Sequence, residues 1–173
     1  IQLFSNLSDP APPGDWVNHP FPENFEDFTT AQVDSLLELY QYEMVSMQDW
    51  WMTLMMNESL CCTEMMTYFY HDHFATSRDK VFFPAAMYHQ NDLMRNYAVG
   101  NFKSLVQEMS FDPAMILWLD TQQNRVNNIN ENFARELLEL FTMGVGNYNQ
   151  ADIIAAARAF TGWGLNRKTS SFH

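Results

Sequence analysis

Apolar residues recur at three- and four-residue spacing from Thr30 almost to the end of the 173-residue sequence. This spacing places them on one face of an α-helix, since a helix turns once in about 3.6 residues. No segment alternates apolar and polar residues between hairpin turns, as a half-buried strand would. The sequence therefore predicts an all-α fold with about six or seven packed helices and short connections. The first predicted helix shows the pattern most clearly, with Val33, Leu36, Leu37, Tyr40, Met44 and Met47 on its apolar face.

Capping residues and prolines indicate where each helix begins. Asn, Asp and Thr accept hydrogen bonds from the free N–H groups of a first turn, and proline fits the first helical position because it lacks that N–H. Glycine commonly follows the last turn. Asn149, with Asp152 three residues later, resembles a capping box. The first predicted helix begins at Thr30, which is its predicted cap. The others run from Ser59 to Phe74, Pro84 to Val99, Asn101 to Met109, Asp112 to Leu119, Asn130 to Gly144 and Asp152 to Phe160.

The first 28 residues have a different composition from the rest. They contain five of the seven prolines and show no helical period, and proline removes a hydrogen-bond donor and fixes φ. Large aromatic residues, Trp16 and Phe21 among them, occur between these prolines. We expect residues 1–28 to form an extended arm pinned to a helical domain of residues 29–173, with both aromatic side chains buried against the helices or a partner chain. A disordered tail is the alternative.

The charge balance is strongly acidic. The sequence has 9 basic and 21 acidic residues, which gives a net charge of −12 at pH 7. A surface that follows nucleic-acid phosphates needs clustered Lys and Arg, so we expect no nucleic-acid partner. The best candidate for a membrane span, residues 114–119, ends at Asp120, far short of the roughly 18 to 20 apolar residues that a transmembrane helix needs. The sequence therefore predicts no transmembrane span.

Apolar side chains are abundant and charged ones are scarce. Charged residues make up 17% of the chain, below the roughly 25% typical of soluble domains, whereas aromatic residues make up 15% and there are 12 methionines. Two interpretations remain open. Either the core is compact and rich in aromatic residues, or part of the aromatic surface is covered by another polypeptide, since monomers rarely expose large apolar patches.

The segment His71-Asp72-His73 contains three potential metal ligands, because imidazole and carboxylate groups bind Zn, Cu, Fe and Mn. On an intact helix, His71 and His73 lie about 200° apart and cannot both face one ion. A chelate therefore requires the helix to end near Tyr70. In the alternative interpretation, His73 is a hydrogen-bonded core residue and His71 pairs with Glu64.

The predicted helix 130–144 carries the densest charge pattern of the chain. Glu131 and Glu139 each lie four residues from Arg135, so a ladder of ion pairs is available on one face. We interpret the ladder as a partly buried network that locks this helix to its neighbours. An exposed charged face is the simpler alternative. In a third interpretation, Glu136 or Glu139 acts as a metal ligand or general base near the histidines.

Four segments in order resemble one known family. They are residues 68–77 (YFYHDHFATS), 112–120 (DPAMILWLD), 130–144 (NENFARELLELFTMG) and 156–163 (AARAFTGW). Together they resemble, from about residue 50 to residue 163, the family catalogued as domain of unknown function 1800. Its members are mostly bacterial, often exported and typically longer, with no established activity. The resemblance therefore implies an exported protein and a fold that continues beyond the Thr-Gly-Trp segment, but it implies no reaction.

Two functions from different classes remain open. We expect a non-catalytic structural or accessory subunit that packs within a larger assembly through an aromatic-rich surface, with other protein subunits or the remainder of a longer chain as its partner. The alternative is an exported metal-dependent enzyme domain. In that case His71, Asp72 and His73 are the candidate ligands of a divalent metal ion, and His71, Glu136 or Glu139 is the candidate catalytic group.

Overall fold

The computed structural model describes residues 10–21, 27–57, 62–166 and 171–172 of the chain. Within these ranges the chain forms seven α-helices, so the predicted all-α fold is confirmed. The helices are α1 (Thr30–Asn57), α2 (Thr63–His73), α3 (Pro84–Asn96), α4 (Phe102–Met109), α5 (Pro113–Trp118), α6 (Asn132–Glu136) and α7 (Gln150–Ala159).

Shorter elements join or follow these helices. Two 3₁₀ turns cover Asp15–Asn18 and Thr121–Gln123, and a π-helix covers Leu137–Thr142 directly after α6. Beyond α7, the two-residue strands β1 (Leu165–Asn166) and β2 (Ser171–Phe172) pair in antiparallel register. This small ribbon is an addition to the helical fold and leaves its class unchanged.

Helix α1 spans 28 residues, and only its middle part is deeply buried. It begins at Thr30, and its cap is the preceding residue, since Thr29 Oγ1 accepts a hydrogen bond from the Gln32 N–H while Thr29 N–H donates to Gln32 Oε1. Leu37, predicted to face the core, is exposed. None of the described helices is long and apolar enough to cross a membrane. The buried residues of α1 are Tyr40, Glu43, Met44 and Met47.

Side-chain caps hold the starts of three further helices where the sequence predicts them. Asn101 and Asp112 each accept a hydrogen bond from the backbone N–H three residues later. Asn149 and Asp152 form the predicted capping box at the start of α7. Helix α3 begins with Pro84 in its first turn, also as predicted. Local signals therefore identify the caps of α4, α5 and α7 and the start of α3 correctly, although α7 begins at Gln150, two residues before the predicted Asp152.

Some predicted helix limits differ from the structure, and one lies outside the described residues. Helix α3 ends at Asn96 instead of Val99, because the chain tightens into a turn that leads to Gly100. Helix α2 begins at Thr63, and the predicted start at Ser59 lies outside the described residues. The predicted helix 130–144 begins only at Asn132, is α-helical over α6, and continues as the π-helix.

The π-helix has a specific hydrogen-bond pattern. The carbonyl oxygen of Leu138 accepts from the N–H groups of both Met143 and Gly144, each at 3.0 Å. The Thr142 hydroxyl donates to the carbonyl oxygen of Leu137, five residues earlier. These bonds widen the last turns relative to an α-helix, whose bonds join residues four apart. Gly144 follows with φ at 77°, a conformation that favours glycine, and ends the segment.

Helix α3 lies at the centre of the described fold. It packs against α1, α2, α4, α5 and the 3₁₀ turn Asp15–Asn18. Its first half contributes to a core shared with α1, and Met94 near its end joins a second core shared with α2, α4 and the π-helix. A smaller third core joins α6 to α7 around Ala134, Ile153 and Ala157. The polar groups described below lie between and beside these cores.

The described part of the predicted arm packs against the helices. Trp16 is buried, and its indole meets the Tyr88 ring edge-on with centroids 6.2 Å apart. Phe21 is partly buried 4.5 Å from the Phe83 ring. Trp50 Nε1 donates to the carbonyl oxygen of Ala11 at 2.9 Å. Residues 1–9 and 22–26 lie outside the described ranges, so the full extent of the arm and its boundary with the helical domain stay predictions.

Candidate functional site

A cleft of about 450 Å³ opens between the end of α2, the end of α5, α6 and the π-helix. Its apolar lining comes mainly from α5 and the π-helix, and its polar lining includes three residues that the sequence singles out, Asp72, His73 and Glu136. The residues that line the cleft are Asp72, His73, Ala75, Lys80, Trp118, Leu119, Asn132, Glu136, Leu140 and Phe141.

His73 is half-buried at the end of α2 and ties this helix to the π-helix. Its Nε2 lies 3.1 Å from the carbonyl oxygen of Phe141, and because a carbonyl oxygen can only accept, Nε2 is the donor. Its ring stacks on Phe69 at a centroid distance of 6.2 Å and contacts Phe74 and Phe102. These contacts favour the interpretation of His73 as a hydrogen-bonded packing residue.

Glu136 and Asp72 supply the carboxylates of the cleft. Burial raises the pKa of Glu136 above its ordinary value, and the Glu139 carboxylate raises it further, whereas Arg135 lowers it. Asp72 is exposed at the rim. Among the described residues, no three His, Cys, Asp or Glu side chains are grouped so that they could hold a metal ion. The arrangement is therefore better suited to binding a cationic group or moving a proton than to chelation by these side chains alone.

Lys80 reaches the cleft but already has a partner. Its Nζ donates to Asp120 Oδ2 and to the carbonyl oxygen of Trp118, each at 2.6 Å, and it lies 5.8 Å from the centre of the Trp118 indole ring. Asp120 has a φ of 56°, which is uncommon for a residue other than glycine. The positive charge of Lys80 is thus compensated by Asp120.

His71 lies in a different place from His73. Helix α2 continues through His73 and does not end near Tyr70, as a chelate by both histidines would require, so the two imidazoles lie on different sides of the helix. His71 lines a separate pocket of about 220 Å³ and stacks on Trp51 with centroids 5.2 Å apart. Burial lowers the pKa of His71. The structure does not bring His71 together with Glu136 or Glu139.

Glu64 pairs with Arg95 and not with His71 as proposed from the sequence. Arg95 Nε and Nη2 lie 2.6 and 3.0 Å from the two carboxylate oxygens of Glu64, and Trp51 Nε1 donates to the same carboxylate. Asn91, one turn earlier on α3, accepts from Arg95 Nη2 at 2.8 Å. This arrangement satisfies the Glu64 carboxylate fully inside the fold, so His71 is left to pack against Trp51.

A second buried polar group joins α3 to the start of α5. The Thr76 hydroxyl donates to Gln90 Oε1, and Gln90 Nε2 donates to Asp112 Oδ2, which also accepts the N–H of Met115. Burial raises the pKa of Asp112 to about 7, against the opposing effect of these N–H donors. The sequence identifies Asp112 only as a helix cap and contains no signal for its link to Gln90.

The predicted ladder of three charges is only half formed. Glu131 and Arg135 are joined at 3.0 Å, as predicted, but both side chains are partly exposed. Gln150 at the start of α7 bonds both of them, so the cluster joins α6 to α7. Glu139 accepts a hydrogen bond from the Tyr148 hydroxyl at 2.7 Å. The nearby phenol thus competes with Arg135 for this carboxylate, and the ladder ends at Arg135.

The fold and the cleft define an all-α domain with a charged cleft beside a π-helical turn. The chain belongs to the family described as protein of unknown function (DUF1800), whose family model matches residues 6–173. This match extends the resemblance seen in residues 50–163 to nearly the whole chain. No curated protein and no solved structure matches it.

Proposed function

We propose that this domain is a non-catalytic structural or accessory module that packs against another polypeptide through the outer face of α2. The observation that carries the proposal is the distribution of residues on this helix. Met65, Tyr68 and Phe69 expose 66%, 61% and 53% of their surface, although their spacing of three and four residues puts them on one helical face. We call these three residues the α2 face.

The opposite side of α2 makes this distribution unusual. Glu64 and Thr67 point into the fold and expose 2% and 0% of their surface. A helix on the surface of a monomer usually turns its apolar side inward and its charges outward. Helix α2 exposes large apolar groups and buries a carboxylate, which is the pattern of a helix with a second apolar partner.

The energetics favour coverage of the α2 face. Burying a large apolar side chain contributes about 1.5–3 kcal/mol relative to leaving it exposed. Phe102 of α4 adds a fourth exposed apolar side chain, because it lies beside His73, which stacks on Phe69. Four such side chains offer a substantial part of the apolar core that protein interfaces contain. The partner would be another protein subunit or further residues of a longer chain.

Photo-crosslinking in the source cells tests the proposal. A benzoylphenylalanine at Tyr68 or Phe69 should crosslink to one reproducible polypeptide segment, identified by mass spectrometry. Val126 is the matched control, because it is apolar and 80% exposed but lies in a turn far along the chain from α2. Crosslinking at the two α2 positions no stronger than at Val126 would contradict the proposal.

We also propose that the module acts outside the cytoplasm. The support is the resemblance to a family whose members are often exported. Fractionation of the source cells, followed by immunodetection of the native protein, tests this proposal. Recovery in the cytoplasmic fraction only would contradict it.

A second candidate function is an acid–base enzyme site in the cleft. It is supported by Glu136, whose raised pKa is typical of a carboxyl group that can donate a proton, and by His73 on the same cleft. The adjoining π-helix is a feature frequent at functional sites. Metal analysis of the purified protein tests the metal-dependent form of this candidate, and stoichiometric metal would favour it over the packing module.

A further inference from the structure

We propose that the cleft beside α2 receives a Lys or Arg side chain, flanked by apolar residues, from the polypeptide that covers the α2 face. The inference rests on the proposed function and names the chemistry of the partner. The cleft combines an apolar lining with two carboxylates, so it suits a side chain that has an aliphatic stem and a cationic end.

The apolar lining accounts for the stem and its neighbours. Trp118, Leu140 and Phe141 line the cleft, and Leu140 exposes 60% of its surface. The volume of about 450 Å³ lies in the range of roughly 300–1,000 Å³ found for ligand pockets, which are mostly apolar with a few placed polar groups. The cleft can thus hold a few side chains of an extended segment.

The charges account for the cationic end. Asp72 and Glu136 line the cleft, whereas its cation, Lys80, is held at 2.6 Å by Asp120. The nearest arginine on α6, Arg135, is bound to Glu131. Among the described residues, neither Asp72 nor Glu136 is therefore in an ion pair, although Arg135 lowers the pKa of Glu136, and the whole chain has a net charge of −12. The same carboxylates would repel an acidic segment, so the cleft should select cationic segments over acidic ones.

The cleft and the α2 face are continuous. Asp72 follows Tyr68 and Phe69 by four and three residues on α2, so it lies at the end of the same helical stripe. His73 stacks on Phe69 on one side and lines the cleft on the other. A polypeptide that covers the α2 face therefore reaches the carboxylates without leaving the surface.

The partly buried carboxyl group of Glu136 also favours a cationic partner. Burial raises the pKa of Glu136, and Glu139 raises it further, because both effects disfavour its charged form. A cation placed in the cleft would favour the charged form and lower this pKa. Binding of a cationic segment should therefore strengthen as Glu136 ionises.

Short peptides of matched shape test the inference. The probes are acetyl-Leu-Lys-Leu-Phe-amide and its counterparts with Gln or Glu in place of Lys, titrated into the whole chain at low salt while the NMR signals of the cleft are followed. The Lys peptide should bind about tenfold more tightly than the Glu peptide, and its affinity should fall as salt is added. Equal affinities of the three peptides, or no shift of cleft signals with any of them, would overturn the inference.

Variants connect the preference to the cleft. Asp72→Asn with Glu136→Gln should reduce the preference for Lys over Glu to about twofold or less, whereas Glu108→Gln, an exposed carboxylate on α4 outside the cleft, should leave it unchanged. Circular dichroism checks the fold, and Glu136→Gln alone serves if the double variant does not fold. A preference that survives the cleft substitutions would overturn the inference.

Three further outcomes complete the test, and the last two separate this inference from the proposed function. Hexylamine that binds as tightly as the Lys peptide would show that the cleft selects a free amine, and the docking inference would be wrong. Crosslinks at Tyr68 without any preference among the peptides would support the packing module and contradict the inference of a cationic segment. Peptide preference without crosslinks would keep the cation site and contradict the packing module.

Discussion

Arg95 and Glu64 form an ion pair that is almost completely buried and joins α3 to α2. Two Arg95 nitrogens lie 2.6 and 3.0 Å from the two carboxylate oxygens, and the side chains expose only 2% and 3% of their surface. Such bidentate pairs are the stronger kind of charged hydrogen bond. Because both charges are removed from water, the Glu64 carboxylate depends on Arg95 for its compensation, whereas Arg95 also has the Asp92 carboxylate 3.8 Å from its Nη1.

Arg95→Met should therefore destabilise the fold strongly. Removing one partner of a buried pair costs about 3–5 kcal/mol in free energy of unfolding, since the other charge remains buried and unpaired. Urea unfolding followed by circular dichroism measures the loss. Arg135→Met is the matched control, because its pair with Glu131 is partly exposed and should cost about 0–1 kcal/mol. Similar losses in the two variants would contradict this account of the buried pair.

Asp112 should make the fold less stable as pH rises through the acid range. Burial raises the pKa of its folded-state carboxyl from 3.8 to about 7. Between these values the folded state holds a proton that the unfolded state has released, so the free energy of unfolding falls with rising pH, by at most about 4 kcal/mol.

Asp112→Asn isolates this effect from other titrating groups. The Asn side chain keeps an oxygen for the N–H of Met115, so the helix cap can persist. The melting temperature of the variant, relative to that of the wild type, should therefore be higher at pH 7 than at pH 4. A difference that does not change over this range would show that the Asp112 carboxyl titrates alike in the folded and unfolded states.

Helix starts could be predicted from the sequence because their causes are local. Asn149 and Asp152 bond each other's backbone N–H groups within one turn, and Pro84 needs only its own ring to fit a first turn. The α1 cap is Thr29, one residue before the predicted Thr30, although Thr29 and Gln32 show the same spacing as a capping box. Signals contained in four consecutive residues are thus readable without a structure.

The candidate site could be predicted only in part because its contacts are distant in sequence. The sequence indicates Asp72, His73 and Glu136 as candidates, but the cleft is also lined by Trp118 and Leu140, which no local pattern joins to them. Glu64 and Arg95 lie 31 residues apart, and periodicity gives no information on which buried polar groups will meet. The π-helix was missed for a related reason, since its bonds to Leu137 and Leu138 replace an α-helical pattern that the apolar spacing fits equally well.

His71→Phe should protect the fold against acid. Burial lowers the pKa of His71 in the folded state, so the unfolded state binds its proton more readily, and the wild type loses stability as pH falls below about 6.5. Phe keeps a ring that can stack on Trp51 but cannot be protonated. The melting temperature of the variant relative to the wild type should therefore be higher at pH 5 than at pH 8. His89→Phe is the control, because His89 is exposed on α3, and an equal shift in both variants would contradict the assignment to His71.

His73 should stabilise the fold through both its ring and its hydrogen bond to Phe141. His73→Phe keeps a ring against Phe69 but leaves the Phe141 carbonyl oxygen without this donor, which should cost about 1–2 kcal/mol in free energy of unfolding. His73→Ala also removes the ring contacts and should cost more, by a further 1–2 kcal/mol or so. Urea unfolding measures the stability of each variant. Hydrogen exchange at the Met143 and Gly144 amides should be faster in both variants, because the π-helix that accepts their hydrogen bonds is no longer hydrogen-bonded to α2. Wild-type stability and exchange in His73→Phe would show that the imidazole acts by packing alone.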